Sequence, residues 1–244
     1  MKLPLTFVVA GIVLVSAGCT SSPGRPKSDS DPLAPDQVVA FTILYKQNCA
    51  GCHGVSGSGG AAIALNNSVF LAIADDTAIR RTIENGVPST AMPTFAQNKG
   101  GMLTEKQVEA IVQGIRSWAK SDLPGDTTLP PYTSQTPSDA QKGAEIFRTY
   151  CSSCHGRDGR GGSKASSVVD SSYLTLVSDQ YLRTIVITGR PELGAPDWRD
   201  DVEGRTMSNQ EISDVLAWLS SQRPRLPSQP SAVSLLARPN GVAQ

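Results

Sequence analysis

Two five-residue stretches constrain this chain more than anything else in it. They are Cys49-Ala50-Gly51-Cys52-His53 and Cys151-Ser152-Ser153-Cys154-His155, one C-x-x-C-H pattern written twice, 102 residues apart. In each, a turn of two intervening residues brings both sulfurs to one side, and the next residue adds an imidazole. Their surroundings repeat as well. Gly86/Gly189, Pro88/Pro191, Pro93/Pro196 and Phe95/Trp198 share an offset of 103, and Val108/Ile212 and Ile111/Val215 share one of 104. A near-constant offset over so many landmarks means a duplicated domain of about 85 residues.

The cysteine count sharpens the reading. Of five cysteines, four lie in the two motifs and the fifth is Cys19, so no pair remains for a structural disulfide. C-x-x-C-H is the attachment pattern for c-type haem, in which two thiols form thioethers and the adjacent histidine supplies the proximal iron ligand. Cys49, Cys52, Cys151 and Cys154 are therefore the expected haem-binding residues, with His53 and His155 on the iron. These are the only two histidines, so neither haem can take two histidine ligands from this chain. A zinc reading fits poorly, because a zinc site needs four ligands and each motif offers three.

Composition agrees with small units completed by a large apolar cofactor: 22 Gly, 17 Pro and only 5% aromatics. Lys plus Arg equals Asp plus Glu at 22 each, so nothing suggests a nucleic-acid partner. The N-terminus has Lys2, an apolar run over residues 5–15 and Ser16-Ala17-Gly18-Cys19, which describes a secretory signal over residues 1–18. Cys19 after Ala-Gly resembles the lipobox of bacterial lipoproteins, although Ser16 stands where leucine is usual. A plain signal peptide with an incidental cysteine is the other reading. Acyl chains on Cys19 would anchor the chain, each buried CH₂ adding about 0.8 kcal/mol.

Residues 19–36 are Ser-, Pro- and Asp-rich and read as a lipidated, flexible tether. Helical pattern begins at Gln37 and leads into the first motif. A Gly-rich loop, a helix over 75–85, the loop Ala91-Met92-Pro93-Thr94-Phe95 and a helix over 104–119 follow, the last opened by Thr104 with Gln107 at the capping-box position. After a Pro/Thr linker the programme repeats, with helices opening at Ser138, over 181–188 and over 208–222. The expected domains are 37–122 and 138–223, joined by a linker over 123–137 and followed by a disordered tail over 224–244. On the first helices Phe41 matches Gly143, and on the last Gly114 matches Trp218. One bulky and one small residue per domain, with roles exchanged, predicts close crossing of first and last helices.

Each half resembles a small class I cytochrome c domain. Together they are similar to bacterial dihaem cytochromes c, such as the cytochrome c4 type and the dihaem subunit of cbb3-type oxidases. The resemblance covers roughly residues 37–122 and 138–223. It implies an all-α fold of two tandem domains, each of about three to five helices around one covalently attached haem c. It also implies a methionine sulfur as sixth ligand, a soft donor that raises the potential.

In the first domain Met92 stands where the resemblance places that ligand, and Met102, just ahead of the last helix, is expected to pack. The second domain departs from the pattern. Ala195 matches Met92, and the only methionine in that half is Met207, aligned with Leu103. Either Met207 reaches the iron, or the second haem is five-coordinate, or an outside group binds it. Arg80 and Arg183 match between the halves and are expected as solvated helix residues. Tyr45 and Phe147 are expected in the core. Asp197, Arg199, Asp200, Asp201 and Glu203 form a charged loop beside the second site.

The function expected is a membrane-anchored periplasmic dihaem cytochrome c. It would pass electrons between redox proteins, alone or as a subunit of a respiratory complex, and would not itself be an enzyme. A haem enzyme or gas-binding protein with an open position at the second haem is the competing class. A subunit whose second haem is vestigial is a third.

Overall fold

The structure, a computed structural model, describes residues 33–120, 123, 128–134, 136–200 and 202–224. Cys19, the signal segment and most of the tether and tail lie outside them. The chain divides into two units, residues 1–38 and 39–244. The described part of the first contains a single 3-10 turn, Pro35–Gln37.

The second unit is built from ten α-helices with no strand among the described residues, only isolated bridges. Its first half holds α1 (Phe41–Asn48), α2 (Ala50–His53), α3 (Ser68–Ile73), α4 (Asp76–Asn85) and α5 (Glu105–Arg116). Its second half repeats them as α6 (Ala140–Tyr150), α7 (Ser152–His155), α8 (Ser171–Leu176), α9 (Asp179–Thr188) and α10 (Asn209–Ser221). The starts are set by capping side chains. Thr104 and Gln107 form the predicted box on α5, and Ser208 and Glu211 form its counterpart on α10. Asp75 caps α4 at 2.7 Å and Ser178 caps α9 at 3.1 Å.

Helices α3 and α8 are not apparent in the sequence pattern. Each has six residues, too short to show a period, and each is opened by an Asx cap, Asn67 or Asp170. In each half an arginine at the end of the last helix or just beyond it holds them. Arg116 donates to the carbonyls of Leu71 and Ala74 and pairs with Asp76. Arg223 does the same to Leu174, Val177 and Asp179. Cationic donors at helix C-termini complement the exposed carbonyls and the helix dipole.

The predicted crossing of first and last helices is present. A Cβ on Gly114 would enter the Phe41 ring, and one on Gly143 would collide with the Asp214 carbonyl and lie 2.9 Å from Trp218 Cβ. Around these crossings Val108, Ile111 and Val112 are buried in one half and Ile212 and Val215 in the other.

Arg183 overturns its expected place on a solvated face. It is 2% exposed, and its guanidinium donates to the carbonyls of Pro131 and Tyr132, to Asn209 and to Ser213. The segment joining the halves is therefore strapped to the second one. Gln210 adds a bond to Pro137 at 2.8 Å and Gln180 one to Tyr132 at 2.8 Å. Arg80 instead pairs with Glu109 near the surface. The halves share apolar packing, since Val69 and Ile73 of α3 join the cluster that contains Leu182, Ile187, Trp198 and Met207.

Candidate functional site

Each C-x-x-C-H motif forms one helical turn. His53 N donates to Cys49 O at 3.0 Å, and His155 N donates to Cys151 O at 3.0 Å. Positions i, i+3 and i+4 lie on one face of such a turn. Two sulfurs and one imidazole thus face the same way in both halves. The histidines are oriented identically: His53 Nδ1 bonds Ile63 O at 2.9 Å and His155 Nδ1 bonds Ser166 O at 2.8 Å. A carbonyl on Nδ1 fixes that nitrogen as the donor and leaves Nε2 with its lone pair for a metal.

The electrostatics fit a thioether haem. Burial, and then the neighbouring Cys52 thiol, push Cys49 up to about 11, so this site disfavours a thiolate and accommodates an uncharged thioether. Burial pulls His53 below the usual histidine range, opposed by its bond to Ile63; the ring is held neutral, as an iron ligand must be. Tyr45, 3% exposed, closes the first motif by donating to Gly54 O at 2.8 Å. Its counterpart Phe147 is equally buried. Both occupy the core as expected.

In each half a loop crosses the end of α4 or α9. Val87 N donates to Met92 O at 3.0 Å, and Arg190 N donates to Ala195 O at 3.0 Å. Gly86 and Gly189, at φ +62° in both cases, lie directly beneath Met92-Pro93 and Ala195-Pro196, where a Cβ would meet backbone. Ala195 therefore occupies the station of Met92. Farther on, Leu103 N donates to Phe95 O at 2.7 Å and Met207 N to Trp198 O at 2.9 Å. Met207 takes the station of Leu103, and both are buried.

Met102 does not pack as expected; it is 76% exposed. The extended segment there alternates its side chains, and Leu103 takes the inward position. Met92 is half-buried. In the charged loop, Asp197 and Arg199 pair at 2.6 Å and Arg199 lies over the Trp198 ring at 5.0 Å, so two of its members are tied to the fold.

The family described as cytochrome C oxidase, cbb3-type, subunit III matches residues 34–113 and again residues 138–219. The chain belongs to this family. Membership in the cbb3-type subunit III family brings covalently bound haem c, one group for each matched region. The donor sets just described fit that cofactor. Among the relatives is the cbb3-type cytochrome c oxidase subunit FixP of Azorhizobium caulinodans, 30% identical over 129 residues, 51% of this chain and 40% of that protein. The FixP subunit of Rhizobium etli is 31% identical over 143 residues, 54% of this chain and 44% of that protein. The chain thus spans less than half the length of these two relatives. Among solved structures, the Kuenenia stuttgartiensis reducing HAO-like protein complex Kustc0457/Kustc0458 aligns with 79% of this chain and 98% of its own at 18% identity and a TM-score of 0.45.

Proposed function

We propose that this chain is a periplasmic dihaem cytochrome c, held at a membrane by acylation of Cys19, that relays electrons between redox proteins or between subunits of a respiratory complex. The relatives support the complex, since they are named as subunits of cbb3-type oxidases. The observation that carries the reading is the duplicated proximal turn, with His53 tied to Ile63 and His155 tied to Ser166 in the same way. In this reading Cys49, Cys52 and His53 hold the first haem and Cys151, Cys154 and His155 the second, within domains over 37–122 and 138–223. Met92 is the sixth ligand of the first haem.

Bound haem supplies reversible one-electron chemistry of iron. The protein's residues do the rest. The carbonyls of Ile63 and Ser166 fix the imidazoles, and the neutral thioether of Met92 favours the ferrous state and raises the potential. The helices packed around each motif keep the site rigid, which limits rearrangement on electron transfer. Acid–base catalysis at either haem finds no free histidine, because both are committed to iron.

The test is haem counting on the protein matured in a bacterial periplasm. Two haems per chain, with thioethers on all four cysteines by mass spectrometry, are expected; any other number overturns the reading. For the anchor, Cys19→Ser should move the protein from the membrane fraction to the soluble one, and an unchanged distribution rules lipidation out.

A further inference from the structure

We propose that the second haem has no sixth ligand from this chain, and that its distal side, under Ala195, is a binding site for a small neutral π-acceptor molecule. The proposal rests on the reading that Cys151, Cys154 and His155 hold that haem. Two sites built alike on the proximal side would then differ in kind on the other.

The first ground is the station of Ala195. Its backbone bond to Arg190 and its crossing over Gly189 reproduce those of Met92 over Gly86. The loop has not been rebuilt to offer a different residue; the same place carries a methyl group, which has no donor atom. The second ground is Met207, the one other thioether in this half. It is 2% exposed and packed in the core cluster with Trp198, Ile212 and Val215, at the position Leu103 fills in the first half. An iron ligand must present its donor atom to the space a porphyrin occupies, and a side chain enclosed by protein presents it to none.

The third ground is how the loop is held. An iron–sulfur bond pins a distal loop from within, so a loop without one needs other support. The first loop is closed in one direction across its ends, Val87 N to Met92 O at 3.0 Å, with an inner turn in which Thr90 N and Oγ1 donate to Val87 O and Met92 N donates to Thr90 Oγ1, and Ser89 sits at φ +60°. The second is closed both ways, Arg190 N to Ala195 O at 3.0 Å and Ala195 N to Arg190 O at 3.1 Å, around the 3-10 turn Pro191–Leu193. Arg190 is fastened further by Glu192, by the Gly60 carbonyl and by Tyr181. The second loop keeps the shape of a ligand loop by its own bonds. That is what a fold needs if it is to leave the iron position free instead of collapsing onto it.

Carbon monoxide is the probe. On ferrous iron it forms one iron–carbon bond and displaces no protein ligand from an open site, so uptake should be fast. The full-length dihaem protein, reduced and anaerobic, is expected to take up one carbon monoxide per chain in a stopped-flow experiment. Met207→Leu, close to isosteric, should leave both the stoichiometry and the rate unchanged. Ala195→Met should abolish uptake and add to the ferric spectrum the near-infrared sulfur-to-iron band of a thioether ligand. Wild-type protein that takes up none, with uptake appearing only in Met207→Leu, would overturn the proposal. Haem counting on the same sample separates this failure from failure of the underlying reading, which would show as fewer than two haems per chain.

Discussion

Arg190 donates through its guanidinium to the carbonyl oxygen of Gly60 at 2.7 Å. The bond joins the distal loop of the second haem site to the loop that follows the first haem motif. Asn67 Nδ2 supports the same junction by donating to Thr188 O at 3.3 Å. A conformational change at either loop is therefore felt at the other. The Arg190 side chain is 11% exposed, so its bonds are not much screened by solvent. Arg190→Met should cost about 1.5–3 kcal/mol, the range for hydrogen bonds made by charged groups. The two halves are expected to melt together in the wild type, and the variant should melt in two separate calorimetric transitions. Arg190→Lys should recover part of the loss. A variant that melts in one step at the wild-type temperature would show that the junction carries no coupling.

The helix crossings yield a prediction whose sign differs from helix propensity. Gly to Ala in a helix interior is ordinarily stabilising by about 0.5–1 kcal/mol. Here Gly143→Ala should destabilise by about 1–3 kcal/mol, because the new Cβ meets the Asp214 carbonyl and the helices must part. The obstacle is backbone, so trimming Trp218 should not rescue it. Gly114→Ala should be rescued in part by Phe41→Leu, since there the obstacle is a ring. Denaturant titration of the four variants decides it.

What could be read from the sequence followed from duplication. Each landmark was seen twice, so the proximal turns, the Gly86/Gly189 stations and the exchanged bulk at Phe41/Gly114 and Gly143/Trp218 were all visible without coordinates. What was hidden had no partner to betray it or too little length. Helices α3 and α8 are six residues each, shorter than two helical turns, and their caps and arginine clamps are tertiary. The burial of Arg183 depends on a linker folding back over α9, which no local pattern records. Met102 was misplaced because an apolar residue before a helix suggests packing, while strand-like alternation gives that place to Leu103.

Arg183 itself is a measurable commitment. Its cation is buried among carbonyl and hydroxyl oxygens, with no carboxylate among its hydrogen-bond partners in the described residues. Arg183→Met leaves the Pro131 carbonyl without its arginine donor, while Tyr132 keeps the bond from Gln180, and should cost about 1–3 kcal/mol, the range for one partly buried group left unsatisfied. Loosening should concentrate in the linker. Amide exchange would show it as lost protection at the C-terminal part of α9 and the start of α10; protection lost uniformly would mean a global effect only.

Tyr45 predicts a slope at alkaline pH. Burial, with a smaller push from Cys49, raises it from 10.0 to about 12. Its neutral form is thus favoured by folding, and that stability is complete below pH 10 and lost as the pH rises through about 12. The full effect is about 2–3 kcal/mol, at roughly 1.4 kcal/mol per pH unit. A thioether at Cys49 removes the smaller contribution and leaves the burial. Tyr45→Phe copies the residue at the equivalent position, Phe147. It should lose about 1 kcal/mol at neutral pH with the bond to Gly54. Between pH 10 and 12 the variant should fall less steeply than wild type; equal slopes would place the tyrosine's titration outside the folding equilibrium.

The asymmetry of the two haem sites can be tested from the other direction by making the first resemble the second. Met92→Ala removes the one sulfur at the station matched by Ala195. The first haem should then lose its thioether band, its reduction potential should fall because a ligand that favours ferrous iron is gone, and carbon monoxide uptake should rise from one to two per chain. Stability should suffer more than a surface alanine would predict. This loop is closed across its ends by one bond, Val87 N to Met92 O, and carries a non-glycine residue at positive φ, so a sixth ligand at Met92 would be a substantial restraint on it. Met102→Leu is the matched control, because a side chain 76% exposed has nothing to lose. If Met102→Leu and not Met92→Ala opens the first haem, the ligand has been assigned to the wrong methionine.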